Sequence, residues 1–386
     1  MTSASRRPTA NHVAWRALLF ALIVAGHALQ SPTEAILFIS TADPSFHTTA
    51  PPSELGQTGW ELQGRWGDFL GSPIGPHHFI TARHVGGGIG DPFQFGGVAY
   101  MTAAFWDNPA ADLRIWQVEG TFPIYAKVYS QTDEVGKEIL VFGRGTERGA
   151  PVVVATAAGL RTNGWLWGVA DGVMRWGQNQ VASIEDGDLL DSEPEPVRRI
   201  GDLLRSTFDA DAGPNEAHLS VGDSGGAVFI RDGEEWKLAG INYAVTGAYN
   251  FTNSGAGFSA AILDERGLFL GEENDWTFQA EGAEAVPGAF YATRLSVHLP
   301  WIQRILSGSS STLPLLQSAV MPGGPYVDDP GAVLSADGGE FQLPLPPVMR
   351  FYRVQGDAVF VITAVGRAND RLAIQFQAAE APGDRP

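Results

Sequence analysis

The pentapeptide Gly222-Asp223-Ser224-Gly225-Gly226 gathers the residue types that acyl transfer needs into one short stretch. A serine hydroxyl is a weak nucleophile until a base takes its proton, and the oxyanion formed on attack needs backbone N–H donors close at hand. Glycine around the serine lets the chain turn tightly enough to present such donors. The competing reading is a plain glycine-rich turn between strands. With 47 glycines in 386 residues, a chance match to five fixed residues is still only on the order of a few in a thousand, so Ser224 is read as a nucleophile.

Gly222–Gly226 resembles the nucleophile motif of the trypsin/chymotrypsin serine proteases, and Thr81-Ala82-Arg83-His84-Val85 resembles the segment that bears their general base. The resemblance implies that His84 takes the serine proton and that Phe79-Ile80-Thr81 is the strand delivering it. A third group must accept the hydrogen bond of the base's other nitrogen, fix its tautomer and stabilise the imidazolium. Ala111-Asp112-Leu113-Arg114-Ile115-Trp116-Gln117-Val118 resembles the family's acidic segment and lies between His84 and Ser224, as the family order requires. That makes Asp112 the expected partner. Asp107, in the turn-like Trp106-Asp107-Asn108-Pro109, is the runner-up, and His77 and His78, after Pro76, are expected at the surface.

Further roles follow from the same resemblance. The backbone N–H groups of Gly222 and Ser224 are expected to form the oxyanion hole. Leu238-Ala239-Gly240-Ile241-Asn242-Tyr243 is similar to the strand lining the substrate cleft, which makes Asn242 and Tyr243 substrate-binding candidates; Tyr243 stands where the family commonly has serine. Six positions before the nucleophile, where an acidic residue selects Arg or Lys, the chain has His218. This implies either recognition of an acidic or neutral polar side chain, or a filler at the pocket wall. Val85 and Ser220 occupy positions where the family often has cysteine. No Ile-Val-Gly-Gly start is present to place a new amino terminus against Asp223; cleavage after Ala35 would expose Ile36, which matches that start in its first residue alone. Leu299–Leu306, with its Trp301-Ile302 pair, is similar to the family's C-terminal helix. The resemblance spans roughly Trp60 to Leu306, and Ala150–His218 does not align.

The composition agrees with such a scaffold. Many glycines and prolines (47 and 25) with 10% aromatics favour short strands joined by turns. A net charge of -18 opposes binding to nucleic acid, which needs a basic face. The absence of cysteine excludes disulfides, thiolate metal sites and a cysteine nucleophile. No cofactor or metal is implied. Glu185-Asp186-Gly187-Asp188 lacks the spacing of a helix-loop-helix calcium loop and reads as solvated, and Gly143–Gly149 reads as a strand-connecting turn rather than a dinucleotide loop.

The elements that must position these residues are expected as follows. Strands fall at Leu113–Val118, Ile139–Phe142, Val152–Ala155, Gly226–Ile230 and Trp236–Tyr243, the last two joined by an Asp232-Gly233 hairpin turn. A long exposed loop is expected between Glu185 and Pro214, and a helix capped by Ser296 over Ser296–Leu306. The fold class is all-β: two six-stranded Greek-key β-barrels, chymotrypsin-like, with a C-terminal helix, followed by a small β module. Residues 1–35, with Arg6, Arg7 and Arg16 before an apolar run from Ala17 to Gly26, read as a signal peptide for export. Residues 36–308 form the protease domain, 309–322 a linker and 323–386 the β module, a candidate for cell-surface attachment. The expected function is a secreted serine endopeptidase acting on protein or peptide substrates, with an inactive binding module or an esterase as alternatives.

Overall fold

A computed structural model describes residues 36–190, 199–272, 275–307, 314–329, 332–335, 339–355, 360–368 and 371–378. The expected signal peptide lies outside the described residues. The chain is mostly β, with a closed six-stranded barrel, a short C-terminal helix and several smaller sheets.

A two-residue strand β1 (Leu37–Phe38) opens the described chain. The barrel follows: β2 (Gly64–Trp66), β3 (Phe69–Gly75), β4 (His78–Ala82), β5 (Pro92–Phe95), β6 (Val98–Asp107) and β7 (Leu113–Val118), closed in the order β2-β3-β4-β7-β6-β5. Its interior is aromatic, with Phe79 and Phe93 stacked at 3.9 Å and Trp66 and Trp116 beside them. All five residues of β4 are buried, because one face fills this interior and the other meets the second half of the molecule. His78 is among them, its ring 5.8 Å from Trp106, so the surface position expected for it is wrong; His77 is exposed as expected.

The second half is built from β8 (Glu138–Gly143), β9 (Thr146–Thr156), β10 (Gly159–Ala170), β11 (Arg175–Gln180), β12 (Ser183–Asp186), β13 (Asp202–Thr207), β14 (Ala217–His218), β15 (Ala227–Asp232) and β16 (Glu235–Val245). After them come β17 (Ala248–Asn250), β18 (Ala260–Ile262), β19 (Phe269–Glu272), β20 (Asp275–Phe278) and β21 (Ala289–Arg294). Seven of these strands form one antiparallel sheet in the order β11-β8-β15-β16-β21-β13-β12. Its two edge strands, β11 and β12, are joined by only Val181 and Ala182. So short a link spans about 11 Å at most. The sheet must therefore curl until its edges nearly meet, which gives a barrel-like second half.

The exposed loop expected between Glu185 and Pro214 is instead partly sheet. Leu203 and Leu204 are buried in β13, which pairs with β21 on one side and β12 on the other. The acidic residues there masked the strand. Asp188, in the short helix α1 (Gly187–Leu190), accepts bonds from Ile200 N and Gly201 N and pairs with Arg199. Ala150–His218 also contains a long hairpin, β9–β10, which adds β18 as a third strand.

At the end of the second half, a 3-10 turn (Ser296–His298) leads into α2 (Leu299–Ser307). Ser296 does not cap it: its hydroxyl donates to buried Glu134, which is also held bidentately by Arg294. Trp301, Ile302 and Ile305 join a core shared by both halves, with Leu70, Ile74 and Ile80 from the barrel and Leu140, Phe142 and Phe229 from the sheet. Beyond it, Leu315–Ala319 pairs with Phe351–Gln355, and Leu316 shares a core with Phe341, Leu343, Ile374 and Phe376. The tail module thus includes Leu315–Ala319, which the sequence reading placed in the linker.

Candidate active site

β4 and β7 are antiparallel neighbours with Ala82 opposite Leu113, so the residues just past Ala82 and just before Leu113 come together at one end of the pair. His84 sits there in a 3-10 turn (Arg83–Val85), and Asp112 precedes β7. The Asp112 carboxylate is 2% exposed. His84 Nδ1 lies 2.5 Å from Asp112 Oδ2, and the His84 backbone N–H donates to Oδ1 at 3.1 Å. With Nδ1 donating to the carboxylate, Nε2 is the nitrogen able to accept a proton. Asp107 takes no part: it forms a two-point ion pair with Arg114 at 2.5 and 2.8 Å.

The pentapeptide forms the turn before β15, with Gly222 at φ +94° and Gly225 at φ +76°, where a side chain would be strained. Its foundation is Asp223, which is buried. Oδ1 accepts from Gly145 N at 2.6 Å and Ile36 N at 3.4 Å; Oδ2 accepts from Ser220 N at 2.7 Å and the Ser220 hydroxyl at 3.1 Å. Burial pushes this carboxyl up to about 7, against the lowering effect of the Ser220 bonds. The Ser220 hydroxyl also accepts from Thr146 N at 2.6 Å. Ser220 thus ties the loop with hydrogen bonds from both its backbone and its hydroxyl.

Gly143 and Gly145, set aside in the sequence as an ordinary turn, make room for Asp223. A Cβ on Gly143 would lie 2.0 Å from Asp223 Oδ1, and one on Gly145 would lie 2.2 Å from Ser220 Oγ. The spacing of these two glycines ahead of Thr146 was the available signal.

One contact binds the serine turn to the barrel strands, and a second joins β16 to His84. Gly225 lies against the barrel so closely that a Cβ there would meet Thr81 Oγ1 at 2.3 Å and Leu70 O at 2.5 Å. The ring of Tyr243 lies edge-on to His84, centroids 5.7 Å apart at 80°. Tyr243 is the extra residue of a β-bulge, since Asn242 pairs with Ala292 and Ala244 with Tyr291. Such bulges re-aim a side chain. Ser224 is half-buried. Among the described residues no hydrogen bond joins its hydroxyl to the His84 ring, and the Gly222 and Ser224 N–H groups donate to no acceptor. Catalytic hydrogen bonds often tighten only when substrate is bound.

Two substrate-binding candidates are placed elsewhere. Asn242 is fully buried and clamps the serine turn: its Nδ2 donates to Phe142 O at 2.8 Å and Asp223 O at 3.1 Å, while its backbone bonds Gly225 and Gly226. His218 is 1% exposed, with its ring between Phe208 and Phe290 and Nδ1 at 2.6 Å from Leu219 O. Burial lowers its basicity to about 4. Its placement is that of a filler behind the turn.

The opening segment is tied down as firmly as the turn. Leu37 pairs with His218 in the β1–β14 ladder, and Arg148 donates to Phe38 O and Ile39 O. Among the described residues no group of three His, Asp or Glu side chains is arranged to hold a metal ion. No family model matches the chain, and no curated protein matches its sequence.

Proposed function

We propose that this chain is an exported serine endopeptidase in which Ser224 attacks the substrate carbonyl, His84 takes its proton and Asp112 orients His84. The observation that carries the reading is the His84–Asp112 hydrogen bond at the rim of the barrel, beside a serine turn packed against the same strand through Gly225 and Thr81. As Ser224 Oγ bonds to the carbonyl carbon, its proton passes to His84 Nε2, and the imidazolium is stabilised by Asp112. The carbonyl oxygen, now negative, takes hydrogen bonds from the Gly222 and Ser224 amides. Collapse breaks the C–N bond, and His84 returns the proton to the leaving amine. A water molecule then repeats the sequence on the acyl-enzyme.

Removal of residues 1–35 would complete the site. It converts the Ile36 nitrogen, already beside Asp223, into an ammonium that pairs with this carboxylate beneath the serine turn.

A fluorophosphonate probe tests the reading. The chain beginning at Ile36 is expected to label on Ser224 and to degrade casein, and both activities are expected to vanish in Ser224→Ala and His84→Ala. A folded chain starting at Ile36 that neither labels nor degrades casein would overturn it.

A further inference from the structure

The residue before the base is an arginine whose side chain folds back on the same carboxylate. Arg83 Nε lies 3.6 Å from Asp112 Oδ1, and the Arg83 backbone N–H donates to Asp112 O at 3.2 Å. The guanidinium is further fixed by Nη1 to Asn108 O at 3.2 Å and Nη2 to Arg199 O at 2.9 Å. These carbonyls belong to segments flanking Asp112 on both sides, since Asp112 N in turn bonds Ile200 O. Asp112 is therefore shared between two neighbouring cations in waiting, a permanent one on Arg83 and a transient one on His84.

We propose that Arg83 is a positioning residue: it holds Asp112 in register with His84 and competes with the imidazolium for the carboxylate's charge. The proposal rests on the triad reading, but its test does not depend on it. A fixed positive charge beside the carboxylate weakens the stabilisation of an imidazolium on the other oxygen. Other ionisable side chains on the elements packed here have partners of their own, and Asp202 on β13 pairs with Arg294 at 3.3 Å. Arg114 on β7 is paired with Asp107 on β6, Arg199 with Asp188, and Tyr243 on β16 lies edge-on to the ring. His78, at the far end of β4, packs on Trp106.

The test follows the His84 ring by NMR across pH in the chain starting at Ile36, alongside the pH profile of kcat/KM. Arg83→Met is expected to move the His84 midpoint and the acid limb of the profile upward together by about one pH unit. Arg83→Lys, which keeps the charge, is expected to stay near the wild type. If Arg83→Met does not fold, Arg83→Gln removes the charge while keeping a donor and carries the same expectation. A midpoint unmoved in the charge-removing variants, or moved equally by Arg83→Lys, would overturn the proposal. A chain that labels with fluorophosphonate but shows no movement would refute the role of Arg83 alone. Movement in a chain that never labels would support Arg83 as a positioning residue and refute the hydrolase reading.

Discussion

The backbone nitrogen of Ile36 lies 3.4 Å from Oδ1 of Asp223, and both residues are buried. Ile36 holds φ at +30°, a conformation a β-branched residue rarely adopts. Asp223 directly precedes Ser224, so whatever stabilises its charge also braces the serine turn. As long as Ile36 is an amide, burial pushes the carboxyl up to about 7 and the carboxylate is expensive to keep ionised. A free amino group at Ile36 supplies the missing countercharge. A chain starting with a free Ile36 is therefore expected to exceed, by at least about 100-fold in kcat/KM, the same chain carrying an Nα-acetyl group or one extra residue. Breaking a buried pair of this kind costs about 3–5 kcal/mol. Equal activities in the three forms would show that the contact has no part in activation.

Asp112 and Asp107 offer a paired comparison. Asp112 bonds His84 twice, through its ring and its backbone, whereas Asp107 is spent on Arg114 at the end of β6. Asp112→Asn leaves the shape intact but presents an amide to Nδ1, and it is expected to lower kcat by about four orders of magnitude. Asp107→Asn should change kcat by less than about twofold, since exposed pairs contribute little. Steady-state kinetics on the two variants checks whether Asp112, and not Asp107, acts with His84.

How far this was legible in the sequence varies with the range of the interaction. Strand β7 was expected at Leu113–Val118 and occurs there, because an Asp followed by an apolar run both starts the strand and places the carboxylate. The hairpin at Asp232-Gly233 was equally local, and Gly233 takes φ +63°. The clamp by Asn242 was not legible: its partners, Phe142 and Asp223, are 100 and 19 residues away, and a resemblance to a cleft strand cannot reveal which face a side chain takes. The choice between the two readings of His218 was not legible either, since only the approach of Phe208 and Phe290 shows that its ring is enclosed. Strand β13 was hidden by the acidic residues and prolines preceding it.

The Gly145 site gives a packing prediction. Its N–H donates to Asp223, and a methyl group there would press on Ser220 Oγ at 2.2 Å and Asp223 Oδ2 at 2.5 Å. Gly145→Ala is expected to cost about 1–3 kcal/mol, as overpacking in a closed site does. Gly282→Ala meets nothing within 4 Å and should fall within about 0.5 kcal/mol of wild type. Denaturant melts of both variants provide the measurement; similar stabilities would mean that the loop yields freely around Asp223.

Glu216 should make the fold less stable on the alkaline side. Its carboxyl is buried, accepts from Asn179 Nδ2 at 2.9 Å and Asp209 N at 3.2 Å, and is pushed up to about 8 by desolvation. Between about pH 4.5 and 8 the folded chain holds a proton here that the unfolded chain has lost. Stability therefore falls as pH rises through that window. Glu216→Gln keeps an acceptor oxygen and removes the titration. The variant is expected to match wild type near pH 5 and to exceed it near pH 9 by an amount on the order of a few kcal/mol. A stability difference that does not vary with pH would contradict this.

His298 acts in the opposite direction on the acid side. Its ring is buried in the 3-10 turn before α2, burial lowers its basicity to about 4 with Arg294 adding to the effect, and among the described residues its Nε2 has no hydrogen-bond partner. Here the unfolded chain binds the proton first, at about pH 6.5. The neutral ring is fully stabilising above that pH, and the contribution is lost as pH falls from about 6.5 to 4. His298→Leu keeps an apolar side chain of similar reach, so it should be close to neutral at pH 7.5 and should reduce the loss of stability between pH 6.5 and 4. His218 titrates in the same direction, so part of the slope should survive in the single variant. Unfolding free energies at pH 7.5, 6.0 and 4.5 measure the difference, and an unchanged slope in His298→Leu would mean that this ring accepts its proton without loss of stability.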